Sequence, residues 1–171
     1  MPKKSNKEDK NPYFLKREEL QLTRDQASEL LESITADKIE KIENKRMKPH
    51  PDEVLEMAKK YKAPELCNYF CSNQCPIGQL YVPEVTIGEL SQIIIRMVAS
   101  LNDVQDNQKK LISIAADGCI DDSEIEDFLK IQDKLEKISA TVQALQLWSE
   151  KMINTGVIDG EKIEACRKRM K

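Results

Sequence analysis

The sequence predicts an all-α protein in two helical parts. Three observations carry that expectation. Apolar residues recur at three- and four-residue spacing along most of the chain, period-two alternation is nearly absent, and residues 22–43 spell two short helices joined by a tight turn. Composition agrees: 171 residues suffice for two small domains, or one domain and an appendage. Five Gly, few aromatics and 33% charged residues suit a helical, water-facing chain.

The opening, residues 1–12, carries Lys3, Lys4, Lys7 and Lys10 and stops at the Asn11–Pro12 breaker. It reads as a basic flexible tail, either solubilising or lying along phosphate as an arm. In the helix pair, Thr23 is the first N-cap candidate, and Ala27, Leu30 and Leu31 form the apolar side behind it. Ser33 and Ile34 make the turn. Thr35 is the second N-cap candidate, with Ile39 and Ile42 facing inward and Ala36, Asp37, Lys38, Glu40 and Lys41 outward. A major groove accepts one α-helix, so these outward side chains are the candidates for base edges and phosphates.

Residues 13–70 resemble the lambda-repressor-like, or XRE, helix-turn-helix regulators of bacteria and phages. The resemblance rests on LKREELQLT ahead of the pair, the IxxIE pattern of Ile39 to Glu43, the basic run Lys45, Arg46, Lys48, Pro49, and the following DEVLEMAKKYKAP. It implies a compact five-helix DNA-binding domain over 13–70, acting as a dimer on double-stranded DNA. Carried over by position, the DNA-binding residues are Arg24, at a phosphate-contacting place, then Thr35, Ala36, Asp37, Lys38 and Lys41 on the recognition surface, and Lys45 and Arg46 beyond it. The chain departs from the family in Ser28 for a small Ala, Ser33 for the turn Gly, and Lys45 for the Gly after IxxIE. The function implied is a sequence-specific transcriptional regulator, a repressor at an inverted-repeat operator. Its alternative is a non-enzymatic interaction adaptor that works through the C-terminal helices.

Net charge is −3, which by itself argues against a polyanion partner. The imbalance is local, however. Residues 1–66 hold 15 Lys and Arg against 14 Asp and Glu, whereas residues 67–171 hold 12 against 16.

Residues 71–85 form a Cys-containing connector. Cys67, Cys71 and Cys75 are spaced by four, which on a continuing helix puts three thiols on one face. Buried structural thiols, redox sensing and a zinc site are the readings that remain open, with no other cofactor expected. Zinc needs a fourth ligand, and the single His, His50, lies in the loop before the fourth helix. Pro76 and Gly78 end any helix there. A subset of the same family is similar here too, carrying a Cys-rich segment that ends in CPIG.

Residues 86–171 read as a helical hairpin module for dimerisation or partner binding. Thr86 is the expected cap, and Ile87, Leu90, Ile94, Met97, Leu101, Val104, Gln108, Leu111 and Ala115 the expected seam. Asp117 and Gly118 stop that helix, and Asp122 or Ser123 starts the next, whose seam is Phe128, Ile131, Leu135, Ile138, Val142, Leu145, Ser149 and Met152. Asn154 to Gly156 ends it, and a short last helix follows over 161–169. Trp148 with Leu145 and Leu147 are the expected contacts of a homodimer.

Several classes are set aside. Residues 113–124 align with a calcium loop at Gly118, Ile120 and Glu124, but Ser113 and Ala115 stand where acidic or amide oxygens are required. One His and no phosphate-cradling glycine loop leave no catalytic constellation, so no enzyme is expected. The longest apolar run is too short to span a bilayer and residues 1–10 are polar, so the expected location is the cytoplasm, with no membrane partner.

Overall fold

The structure, a computed structural model, describes residues 10–115 and 120–170. Among these it is all-helical, and no helix is long and apolar enough to cross a membrane. Two compact units form. One takes the chain up to Val82 together with Glu150 onward, and the other is Pro83–Ser149.

The first unit begins with α1 (Pro12–Glu19). Asn11 caps it, its Oδ1 accepting from the Phe14 N–H at 3.1 Å while its Nδ2 donates to the Ile42 carbonyl at 2.7 Å. Pro12 fills the first helical position, where its missing N–H costs nothing. Asn11 and Pro12, expected in the flexible tail, therefore belong to the folded body; Lys3, Lys4 and Lys7 lie outside the described residues.

Helix α2 (Arg24–Leu31) starts in a reciprocal capping box, with Thr23 Oγ1 accepting from Gln26 N and Gln26 Oε1 accepting from Thr23 N. The turn after it takes in Glu32 beside the expected Ser33 and Ile34. Glu32 takes the positive φ, 57°, and the Ser33 N–H reaches back to the Leu31 carbonyl at 2.5 Å, a three-residue γ-turn. Ile34 lies in the turn as expected and is at the same time a fully buried core side chain. Thr35 then caps α3 (Ala36–Glu43), accepting from Lys38 N at 3.3 Å.

Helix α4 (Pro51–Lys60) opens with Pro51, and Glu53 in its first turn accepts from the His50 N–H at 2.8 Å. Helix α5 (Glu65–Asn73) follows. These five helices enclose one core, in which Tyr13, Ala27, Leu31, Ile34, Ile39, Ile42, Val54, Met57, Tyr61 and Leu66 are buried. Leu30 packs only partly against it.

Three helix ends of the first unit are closed without glycine. Helices α1, α3 and α4 each finish with a left-handed residue, Gln21, Lys45 and Lys62, flanked by the paired backbone bonds of a Schellman turn.

Gly78, expected to stop a helix, instead begins the short α6 (Gly78–Tyr81). A Cβ there would stand 2.1 Å from the Cys71 carbonyl oxygen, so only glycine lets α6 rest on the α5 backbone.

In the second unit, α7 (Leu90–Ala115) begins four residues after the expected cap Thr86, and residues 83–89 run outside the helix. Its inward position is Ile93, only 4% exposed, while the expected seam residue Ile94 is 40% exposed. Leu101, Leu135 and Val142 of the expected seams are exposed as well. The part of the seam at Val104, Gln108, Leu111 and Ala115 lies outside the described side chains, as do Asp117 and Gly118 outside the described residues. Helix α8 (Ile125–Asn154) follows a turn capped by Asp121, not Asp122 or Ser123: its Oδ1 accepts from the Ser123 and Glu124 N–H groups. Ile93 and Arg96 of α7 line a groove of about 230 Å³ with Ala140, Thr141 and Ala144 of α8.

Helix α8 stops in a Schellman turn at Gly156, whose φ is +77°. Asp159 caps α9 (Gly160–Arg169). Residues from Glu150 on were expected with the hairpin, yet they return to the first unit, where Lys151 pairs with Glu65 at 3.2 Å. Glu65 also holds Lys16 at 2.9 Å. Burial weakens the Glu65 charge, but the Lys16 hydrogen bond and the two ammonium groups outweigh it and hold the carboxyl below its ordinary range.

Candidate nucleic-acid interface

Helices α2 and α3 pack directly on each other, and α3 is pinned from beneath by Ile39 and Ile42. That leaves Thr35 and Asp37 exposed and Ala36, Lys38 and Lys41 partly so. Each cation expected to meet phosphate has local company. Lys41 pairs with Asp37 at 2.6 Å one turn back on the same helix, and Arg46 with Glu40 at 3.4 Å. Lys38 donates to Glu53 on α4. Lys45 is exposed, its backbone in the left-handed conformation.

Arg24 is part of a larger construction. Its Nε donates to Glu43 Oε2 at 2.9 Å, and Arg17 holds the same carboxylate through Nε at 2.5 Å and Nη2 at 3.2 Å. Glu43 is buried, and so is Arg17, whose Nη1 also donates to the Leu22 carbonyl at 2.6 Å. Hydrogen bonding to Glu43 pushes the Arg17 guanidinium further toward its charged form. The Tyr61 hydroxyl beside them is held neutral, its pKa pushed up to about 12 by burial and by the Glu43 charge. This clamp ties α1, α2 and α3 at their common corner.

Neither Glu43 nor Glu53 was expected to matter. The signal for Glu43 was present: it follows Ile39 by four residues and so shares its buried face. Glu53 carries no such signal, because its partner comes from another helix.

Magnitudes decide which cations are exchangeable. Exposed ion pairs contribute about 0.2–1 kcal/mol, so Lys41 and Arg46 can trade their carboxylates for phosphate at little cost. Arg24 is about one-third exposed, and Arg17 still satisfies Glu43 if Arg24 turns outward. Lys38 is the least free of the four, since leaving would strand a Glu53 carboxylate that is 10% exposed.

Cys67 and Cys71 share one face of α5, whereas Cys75 comes after the helix has ended at Asn73. All three pack partly against the core. Burial and then neighbouring thiols push Cys67 and Cys71 upward in pKa. His50 stands exposed at the start of α4. Among the described residues no three His, Cys, Asp or Glu side chains gather as a metal ion requires.

Comparison with protein-family models, with curated proteins and with solved structures finds no match to this chain.

Proposed function

We propose that this protein is a DNA-binding transcriptional regulator of the lambda-repressor-like type. In this reading α3 enters the major groove of double-stranded DNA and α2 crosses the backbone. The observation that carries it is the α2–α3 pair itself. Two Thr-capped helices meet across a turn of four residues, with Ile39 and Ile42 buried and Thr35, Lys41 and the adjoining Arg24 and Arg46 on the outer side. The enclosing five helices, the resemblance over residues 13–70 and the low cost of releasing Lys41 and Arg46 all favour the same reading.

The regulator acts in the cytoplasm as a homodimer and represses by occupying an inverted repeat. Ile94, Val98 and Leu101 are exposed at spacings of four and three along α7, which supports a second copy packing there. Selection from fragmented genomic DNA of the encoding organism tests the proposal. Enrichment of an inverted repeat with half-sites about one helical turn apart is the expected result. Folded protein that enriches nothing overturns it.

One observation favours a second reading, the interaction adaptor. Arg24, Lys38, Lys41 and Arg46 all meet carboxylates of the same chain. In that reading the exposed apolar positions of α7 are the working surface and the N-terminal body is a structural support.

A further inference from the structure

We infer that the last turn of α9 is a second, sequence-independent contact to the DNA backbone; the inference rests on the regulator reading above. Residues 10–82 contain twelve Lys and Arg against twelve Asp and Glu, so the body that carries α2 and α3 has no positive charge to spare. Helices α2, α3, α4 and α5 each sum to a negative charge, and α1 to zero. A protein that neutralises phosphates needs a surplus from somewhere. Helix α9 supplies it, with Lys162, Arg167, Lys168 and Arg169 against Glu161 and Glu164.

The three consecutive cations of α9 are available. The helix buries none of its residues, so no side chain there is committed to the core. Arg167 pairs with Glu164 at 2.9 Å in full solvent, and Arg169 donates to the Cys166 sulfur at 3.0 Å, neither a strong hold. Lys168 meets no carboxylate among the described residues. Placement matters equally. Helix α9 belongs to the same compact unit as α2 and α3, and the end of α8 that leads into it is fastened by Lys151 to Glu65. Cations at a helix C-terminus also complement its orphan carbonyls, which holds this short exposed helix together while its side chains face outward.

The test measures binding of the full chain to a short random-sequence duplex between about 50 and 200 mM salt. The variants are Lys168→Gln alone and the triple Arg167→Gln, Lys168→Gln, Arg169→Gln. The expected result is a salt dependence shallower by about one for the single variant and about two to three for the triple, with the triple weakened roughly tenfold or more. An unchanged slope in both variants, with wild-type binding intact, overturns the α9 contact and leaves the regulator reading standing. Wild-type protein that fails to bind the duplex at all overturns both. Loss of binding to phosphatidylglycerol vesicles by the triple variant, with its DNA slope unaltered, assigns α9 to a membrane surface and also overturns the contact.

Discussion

Arg24 and Arg17 grip one carboxylate, that of Glu43, from two different helices, and they do so unequally. Arg17 makes two of the three bonds and is buried, while Arg24 makes one from a partly exposed position. Structural and exchangeable charge therefore meet on a single side chain.

Glu43→Gln leaves the Arg17 guanidinium buried without its counter-charge and is expected to cost about 3–5 kcal/mol. Arg24→Gln is expected to cost less than about 1 kcal/mol, because Arg17 still satisfies Glu43. Urea unfolding midpoints separate the two. Equal losses would sink the unequal sharing.

Lys45→Gly relieves a left-handed backbone at the end of α3 and is expected to stabilise the protein by about 0.5–1 kcal/mol. The same substitution removes a cation, so DNA retention should fall while the melting temperature rises. A protein that melts lower contradicts the backbone argument.

Gly78→Ala forces a Cβ against the Cys71 carbonyl, which is backbone and cannot step aside. The expected loss is about 1–3 kcal/mol or more. Unfolding monitored by circular dichroism checks it, and an unchanged midpoint would show that α6 moves away freely.

Stability should fall steeply at alkaline pH. The folded Tyr61 hydroxyl titrates near 12, above the ordinary value of 10.0, and burial raises Tyr13 in the same direction. Below pH 10 both tyrosines are protonated in either state and their contribution is fully present. As pH climbs from 10 toward 12 the unfolded chain releases protons that the folded one keeps, and stability drops by roughly 1.4 kcal/mol per pH unit for each tyrosine. Tyr61→Phe should remove about half of that slope in urea titrations at pH 9, 10 and 11. A wild-type stability flat across that range would refute the shift.

Lys41→Gln should reduce the salt dependence of DNA binding by about one with little change in stability, since its pair with Asp37 is exposed. Lys38→Gln is expected to lower stability as well, through the stranded Glu53. Anisotropy titrations beside melting curves distinguish the two lysines, and identical behaviour would remove the distinction.

Helix starts in the first unit were legible because their chemistry is local. Thr23 and Thr35 announce themselves by the hydroxyl that each helix needs, and Ile39 and Ile42 by spacing. Helix ends were not, because Gln21, Lys45 and Lys62 take the backbone that glycine usually takes and leave no trace in composition. At the start of α7 the inward position is Ile93 rather than the expected Ile94, for a different reason. Ile93, Ile94 and Ile95 run consecutively, so hydropathy alone assigns no phase. At the candidate interface the cations were readable one by one, but their partners were not. Glu43 reaches Arg24 across 19 positions and Glu53 reaches Lys38 across 15, distances over which helical periodicity says nothing.

The return of residues 150–170 to the first unit has a consequence for how the protein is made. The 67 residues of Pro83–Ser149 are interposed in the chain between two stretches of one body. At a synthesis rate of about 5–20 residues per second, the five-helix body emerges seconds before the segment that brings Lys151 to Glu65 and carries α9. A nascent chain thus holds α2 and α3 folded before the last cations arrive. Cutting the gene after Val82 would not isolate a finished unit, whereas replacing the interposed stretch by a short linker would keep both of its parts in one polypeptide.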